Sequence, residues 1–210
     1  MSDHTPLTVG ILVSGRGSNM LSILRSIDRH ELNIRVGVVV SNKTDAPALD
    51  HATRYNVPTA IVDHRETPKD REAFEKRVDA VLRDHGVELV ALAGFMRILS
   101  PFFVRQWPHK VINIHPSLLP AFPGLHAQRQ ALDTGVKLSG CTVHFVDEGT
   151  DTGAIIGQVA VQVADHDTEE TLSARILAQE HLLYPKVLGW FADKRVRVHD
   201  QRVTVEPANG

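Results

Sequence analysis

The chain is predicted to adopt an α/β fold: an open, mostly parallel twisted sheet, helices on both faces, and antiparallel strands in the C-terminal part. Three observations predict it. Predominantly apolar runs at 7–13, 34–40 and 87–93 read as strands buried on both faces. Stretches with apolar residues at helical spacing alternate with those runs. After residue 111 the alternation changes, and two strand-like runs flank a short polar loop.

In order, 7–13 is the first strand, followed by the Gly-rich turn 14–19. Met20, Leu21, Ile23, Leu24 and Ile27 then keep helical spacing. Residues 34–40 form a second strand, stopped by Ser41 and Asn42. Residues 46–55 suit a helix and 59–62 a third strand. The stretch 71–85 carries Phe74, Val78, Val81 and Leu82 at helical spacing, ahead of the strand 87–93. A short strand, 111–114, leads into His115 and a Pro-rich loop, 116–123; residues 127–133 read as a helix. Strands at 140–146 and 154–163 enclose the polar loop 147–153. A long helix, 168–183, sets Leu172, Ile176 and Leu183 on one side. The runs 196–199 and 202–205 read as a closing hairpin.

Bulk properties narrow the function. With 210 residues, 42% hydrophobic and 23% charged, the chain suits one well-covered globular domain over 1–210. A net charge of -2 offers no global basic surface to nucleic acid, so a phosphate ligand would need a local site. One cysteine, Cys141, rules out an internal disulfide and suits a reducing cytoplasm. The polar start, residues 1–5, lacks an apolar signal core, and no apolar run is long enough to span a bilayer. The 12 histidines fall into no metal-ligand spacing, so no metal site is expected.

Several residues could carry chemistry. The turn Ser14-Gly-Arg-Gly-Ser-Asn19 joins a strand to a helix, where backbone N–H groups and the Ser18 hydroxyl could cradle a phosphate. It is neither a full dinucleotide fingerprint nor a Walker A loop, and it also reads as a tight turn with Ser18 as N-cap. Asn113 and His115 sit two apart at a strand end, on one face, where open α/β sheets bind ligands. Pro116 restricts His115 to an extended backbone. Taken alone, His115 reads more readily as a surface or core histidine satisfied by a backbone carbonyl, and Asn113 as a loop-capping residue. The loop Asp147-Glu-Gly-Thr-Asp-Thr-Gly153 is either a solvated hairpin loop or the source of a carboxylate that favours the charged form of His115. His144 either faces the same site or belongs to the core, and Cys141 reads as a small buried residue.

The segments Ala93-Gly-Phe-Met-Arg-Ile-Leu-Ser100 and Ile112-Asn-Ile-His-Pro-Ser-Leu-Leu-Pro120 resemble the formyltransferases that use 10-formyltetrahydrofolate. So does Thr142-Val-His-Phe-Val146 running into Asp151-Thr-Gly153. The second of these segments is shared with tRNA formyltransferases and formyltetrahydrofolate hydrolases. The Gly-rich turn and Gln179-Glu180-His181 resemble the branch whose acceptor is glycinamide ribonucleotide. A chain ending near 210 fits that branch, because the relatives' extra domains would find no room. Arg16 is a departure, since some members carry asparagine there. The tail beyond Asp193 is the part least determined by the resemblance.

The resemblance implies a Rossmann-like formyltransferase fold. It also implies formyl transfer to the amine of glycinamide ribonucleotide in purine biosynthesis. The donor would be 10-formyltetrahydrofolate as co-substrate, with no metal. It implies small-molecule partners, no nucleic acid, no membrane, and a cytoplasmic monomer or homodimer. Residue by residue, it implies Asn113, His115 and Asp151 as the catalytic triad. Gly17, Ser18, Asn19, Gln179 and Glu180 would hold the ribonucleotide. Arg71, Met96, Arg97, Ile98 and Leu99 would contact the folate, with Asn113, Asp147, Glu148, Gly149, Thr150 and Asp151. Met96, Ile98 and Leu99 also read simply as core.

Overall fold

The structure is a computed structural model and describes residues 5–208. The polar start read above as lacking a signal core lies, over residues 1–4, outside them. Strands β1 (Leu7–Val13), β2 (Ile34–Ser41), β3 (Thr59–Ile61), β4 (Leu89–Leu92) and β5 (Val111–His115) pair in parallel. Strands β6 (Leu138–Phe145) and β7 (Ile155–Gln162) extend the sheet antiparallel. Among the described residues the order across this sheet is β3-β2-β1-β4-β5-β6-β7. A separate hairpin, β8 (Val196–His199) with β9 (Arg202–Val205), closes the chain as the sequence predicts.

Except at the edge strand β3, both faces of the parallel strands are buried because the residue alternation feeds two cores. Val9, Ile11, Val13, Leu89, Ala91, Ile112 and Ile114 point to one side. There α1 (Ser18–Asp28), α2 (Ala48–Arg54) and α6 (Glu169–Ala192) cover them with Met20, Ile23, Ala52, Leu172 and Ile176. Leu12, Val38, Val40, Val90, Leu92 and Val111 point the other way. They meet Phe74, Val78 and Leu82 of α3 (Arg71–Asp84) and Phe103 of α4 (Pro101–Gln106). Burying such a side chain contributes about 1.5–3 kcal/mol each, which is why these runs contain almost no polar residue. Cys141 is buried in the first core, and burial pushes its thiol up to about 12.

Three elements depart from the sequence-based expectation. The helix α4 shows no stripe in the sequence because it has only 6 residues; Pro101 starts it, where its missing N–H costs nothing. A 3-10 turn, His64–Glu66, follows β3. The helix expected over 168–183 continues to Ala192 with Pro185 inside it, a residue that ordinarily ends a helix. Packing holds that continuation, since Leu183, Tyr184, Val187 and Leu188 are all buried. Among the described residues no helix is long and apolar enough to cross a membrane.

Tyr184 ties this last helix to the sheet beneath the strand ends that matter below. Its side chain is fully buried, and its hydroxyl faces the carbonyl oxygens of Leu92 (3.0 Å) and Ile112 (3.2 Å), to which it donates. Tyr184→Phe is therefore expected to cost about 1 kcal/mol, the typical net value of one hydrogen bond. Urea unfolding measures it; an unchanged midpoint would show that the hydroxyl holds nothing.

Candidate active site

The chain leaves β1 toward β2 and β3 at one edge, then returns to build β4, β5 and beyond on the other side. Ligands of open α/β sheets bind at such a reversal, outside the carboxyl ends of the strands. Two cavities open there. One, of about 380 Å³, is lined by the turn 14–19, Lys43, Gly94 and Met96. The other, of about 650 Å³, is lined by 94–99, Asn113, His115, His144 and part of the loop 147–151.

The turn 14–19 has the shape its glycines predict. Gly17 has φ 71, and a Cβ there would stand 2.6 Å from the Ala48 Cβ, so both conformation and space require glycine. Gly17 also occupies the N-cap of α1, and Ser18 is the first helical residue. This corrects the reading of Ser18 as N-cap. Asn19 donates from Nδ2 to Glu180 Oε2 at 2.7 Å, joining α1 to α6. Asn19 Oδ1 is buried and has no hydrogen-bond partner among the described residues. Burial pushes the Glu180 carboxyl up, and the Asn19 bond acts against that. Gln179, beside it, is half-buried, and neither Gln179 nor Glu180 lines either cavity; Glu180 reaches the turn only through Asn19.

The second cavity gathers the polar cluster. Asn113 and His115 share a face of β5, and the antiparallel register of β6 sets His144 opposite Asn113. Asn113 Nδ2 lies 3.3 Å from His144 Nε2, and His144 Nδ1 lies 2.8 Å from the Phe145 carbonyl oxygen. A carbonyl only accepts, so Nδ1 carries the His144 proton, and Nε2 is a lone pair that takes an Asn113 hydrogen. Desolvation pushes the His144 ring below its ordinary value of 6.5, which keeps it in this neutral form.

His115 is oriented by the same logic. Its Nε2 lies 2.8 Å from the Phe122 carbonyl oxygen and therefore bears hydrogen. Nδ1, the ring's other nitrogen, sits 3.3 Å from Asp151 Oδ2. Both readings of His115 hold at once: a backbone carbonyl satisfies one nitrogen, and a carboxylate meets the other. Asp151 adopts φ 55, a conformation aspartate tolerates better than most residues. Its Oδ2 also accepts from Gly124 N–H at 2.8 Å.

The three acids of the loop divide their work. Asp147 Oδ1 accepts from Gly149 N–H and Thr152 Oγ–H, which holds the loop's shape. Glu148 turns out to Arg105 of α4 at 2.7 Å and does not line the cavity, against its expected folate contact. Asp151 alone reaches the imidazoles. Arg71 also stands apart: it begins α3, exposed, and lines neither cavity. Met96 and Ile98 are 71% and 61% exposed and line the larger cavity. Leu99 lines it too, yet is 5% exposed and packs in the second core. Arg97 lies over the Phe74 ring, 5.1 Å from its centroid. Among the described residues no cluster of three or more His, Cys, Asp or Glu could hold a metal ion.

Residues 7–188 match the family described as formyl transferase. The chain belongs to that family. Phosphoribosylglycinamide formyltransferase of Escherichia coli is 40% identical over 194 residues, covering 92% of this chain and 91% of that one. The trifunctional purine biosynthetic protein adenosine-3 of Drosophila pseudoobscura pseudoobscura is 45% identical over 191 residues. That match takes in 90% of this chain but only 14% of the longer protein. The crystal structure of glycinamide ribonucleotide transformylase 1 from Symbiobacterium toebii superposes with a TM-score of 0.94. It is 44% identical and covers 97% of this chain and 95% of that one.

For a formyl transferase, the sequence leaves several supporting residues unflagged. Lys43 lines the smaller cavity from the end of β2, where nothing in its local pattern marks it. Glu75 is buried on α3 and takes both the N–H and the hydroxyl of Ser100, anchoring the far end of the 94–99 loop. A buried carboxylate on an apolar helix face is the one signal that could have found it. His144 was visible as a candidate, and only the strand register settles that it faces Asn113.

The neutral His144 gives a pH prediction. Above 6.5 the folded and unfolded chains both hold this ring neutral, and it adds no pH dependence. Below 6.5 the unfolded chain takes up a proton that the folded ring resists, so this contribution to stability is lost as pH falls. NMR titration of His144 in the folded protein should give a midpoint under 6.5. A midpoint at or above that value would contradict the assignment of Nε2 as an acceptor.

Proposed function

We infer that the chain transfers the formyl group of 10-formyltetrahydrofolate to the amine of N1-(5-phospho-D-ribosyl)glycinamide. The products are N2-formyl glycinamide ribonucleotide and tetrahydrofolate, in de novo purine biosynthesis. The observation that supports this most is the convergence of Asn113 and His115, with Asp151 behind the imidazole, on one cavity at the strand ends. Its partners are small molecules, and it works as a monomer or homodimer.

The chemistry follows from the donors. When the amine attacks the formyl carbon, negative charge grows on the carbonyl oxygen. Asn113 commits one Nδ2 hydrogen to His144 and keeps the other for that oxygen. His115 Nδ1, its one hydrogen shared between Asp151 and that oxygen, supplies the second donor. Asp151 holds the ring from the Nδ1 side, while the Phe122 carbonyl takes the Nε2 hydrogen. As the new C–N bond forms and the bond to the folate nitrogen breaks, a proton must move from the amine to that leaving nitrogen. His115 is placed to serve as general acid.

The binding residues fit the two substrates. The N–H groups at the start of α1, with Gly17 and Ser18, suit a phosphate, and Lys43 and Arg16 add positive charge at the rim. Glu180 and the unpartnered Asn19 Oδ1 are acceptors for ribose hydroxyls. Met96, Ile98 and Leu99 offer an apolar wall to a flat ring. Asp147, Gly149, Thr150 and Asp151, with Arg97, supply polar groups at its edge.

His115→Ala should lower formyl transfer by ~10²-fold or more while leaving the circular dichroism spectrum unchanged, since it removes a donor to the developing charge. Near-normal turnover would remove His115 from the mechanism. The decisive assay follows loss of formyl from 10-formyltetrahydrofolate with and without glycinamide ribonucleotide. Transfer that requires the ribonucleotide supports the reading. Release of formate to water without it would make the protein a hydrolase. Folate binding with no turnover in either case would make it a binding module.

A further inference from the structure

The two cavities share a wall, since Gly94 and Met96 line both. That wall is held by Ser14, the first residue of the Gly-rich turn. The parallel pairing of β1 with β4 runs as far as Leu12 beside Leu92, and the chains stay together beyond it. Ser14 N–H donates to the Gly94 carbonyl at 3.2 Å. The Ser14 hydroxyl oxygen accepts from Met96 N–H at 2.8 Å and donates to Asn42 Oδ1 at 2.6 Å. Ser14 is 3% exposed and Asn42 likewise 3%, so neither bond has water to replace it. Asn42 is in turn fixed by the His64 ring, whose Nδ1 stands 2.9 Å from the Asn42 carbonyl oxygen. It also immediately precedes Lys43, at the rim of the smaller cavity.

One hydroxyl thus sits in the turn that faces the ribonucleotide and holds the backbone of the loop that faces the folate. We propose that Ser14 is a positioning residue through which the ribonucleotide and folate sites sense each other's occupancy. This rests on the assignment of the two cavities given above. Because the Ser14 hydroxyl already ties the turn to Met96 N–H, a ligand that displaces the turn displaces that N–H with it. The free energy of the second binding step then depends on the first. The effect is reciprocal, because a coupling free energy belongs to both sites equally.

The test is calorimetric. Tetrahydrofolate carries no formyl group, so it and glycinamide ribonucleotide form a complex that cannot turn over. In the unmodified protein, saturating ribonucleotide should tighten tetrahydrofolate binding at least about fivefold, the lower end of ordinary coupling. Ser14→Ala should bring that ratio close to one, and Ser14→Thr, which keeps the hydroxyl, should restore much of it. Asn42→Ala leaves Ser14 in place but removes its acceptor, and should lower the ratio as well. It serves if Ser14→Ala does not fold. A ratio of one in the unmodified protein, or a ratio that survives both alanine variants, overturns the proposal. A fall in both affinities with the ratio intact would make Ser14 merely structural and overturns it equally. Failure of the ribonucleotide to bind at all would instead overturn the assignment of the smaller cavity.

Discussion

The register of three neighbouring strands, β1, β4 and β5, is the constraint on which the site depends. Leu12 pairs with Leu92, and Leu92 with Asn113, so three chain segments leave the sheet side by side. One becomes the Gly-rich turn, one the 94–99 loop, and one carries Asn113 and His115. A slip of one residue would turn the β5 side chains to the opposite face and empty the cavity of both. That slip is costly because it would drive Asn113 and His115 into the apolar core that Ile112 and Ile114 now fill, with no partners for their polar atoms.

Upon that frame the electrostatics are arranged by backbone carbonyls rather than by charges alone. Two imidazoles approach one carboxylate: His115 Nδ1 at 3.3 Å and His144 Nε2 at 3.6 Å from Asp151. They are not equivalent. The Phe145 carbonyl takes the His144 proton on the far nitrogen, and desolvation keeps that ring neutral, so His144 serves as an acceptor for Asn113. The Phe122 carbonyl takes the far proton of His115, so Nδ1 is the nitrogen that meets Asp151. The same residue type performs two tasks because different nitrogens are engaged.

Much of this was legible in the sequence, and the physical reasons differ by element. Predominantly apolar runs marked the strands, because burial on both faces leaves little room for polar residues. Asn113 and His115 could be placed on one face by period alone. Asp151 could be selected from three loop acids only by resemblance. Its pairing depends on a positive φ and on Gly124, neither of which composition encodes. The helix α4 was too short to show a pattern, and Pro185 masked the length of α6. Glu148 and Arg71 stand away from the cavity: Glu148 has a nearer partner in Arg105, and Arg71 starts a helix on the outer surface. Ser14 and Glu75 escaped because their roles are long-range, spanning 82 and 25 residues of chain to reach Met96 and Ser100.

The central claim is that one amide and one imidazole share a single reacting oxygen. A crystal structure with glycinamide ribonucleotide and an unreactive 10-formyl folate analogue bound together tests it most directly. The account predicts the formyl oxygen within about 3 Å of both Asn113 Nδ2 and His115 Nδ1, with Asp151 still on the imidazole. A formyl oxygen that meets neither nitrogen, or an Asp151 carboxylate turned away from His115 in that complex, would contradict it.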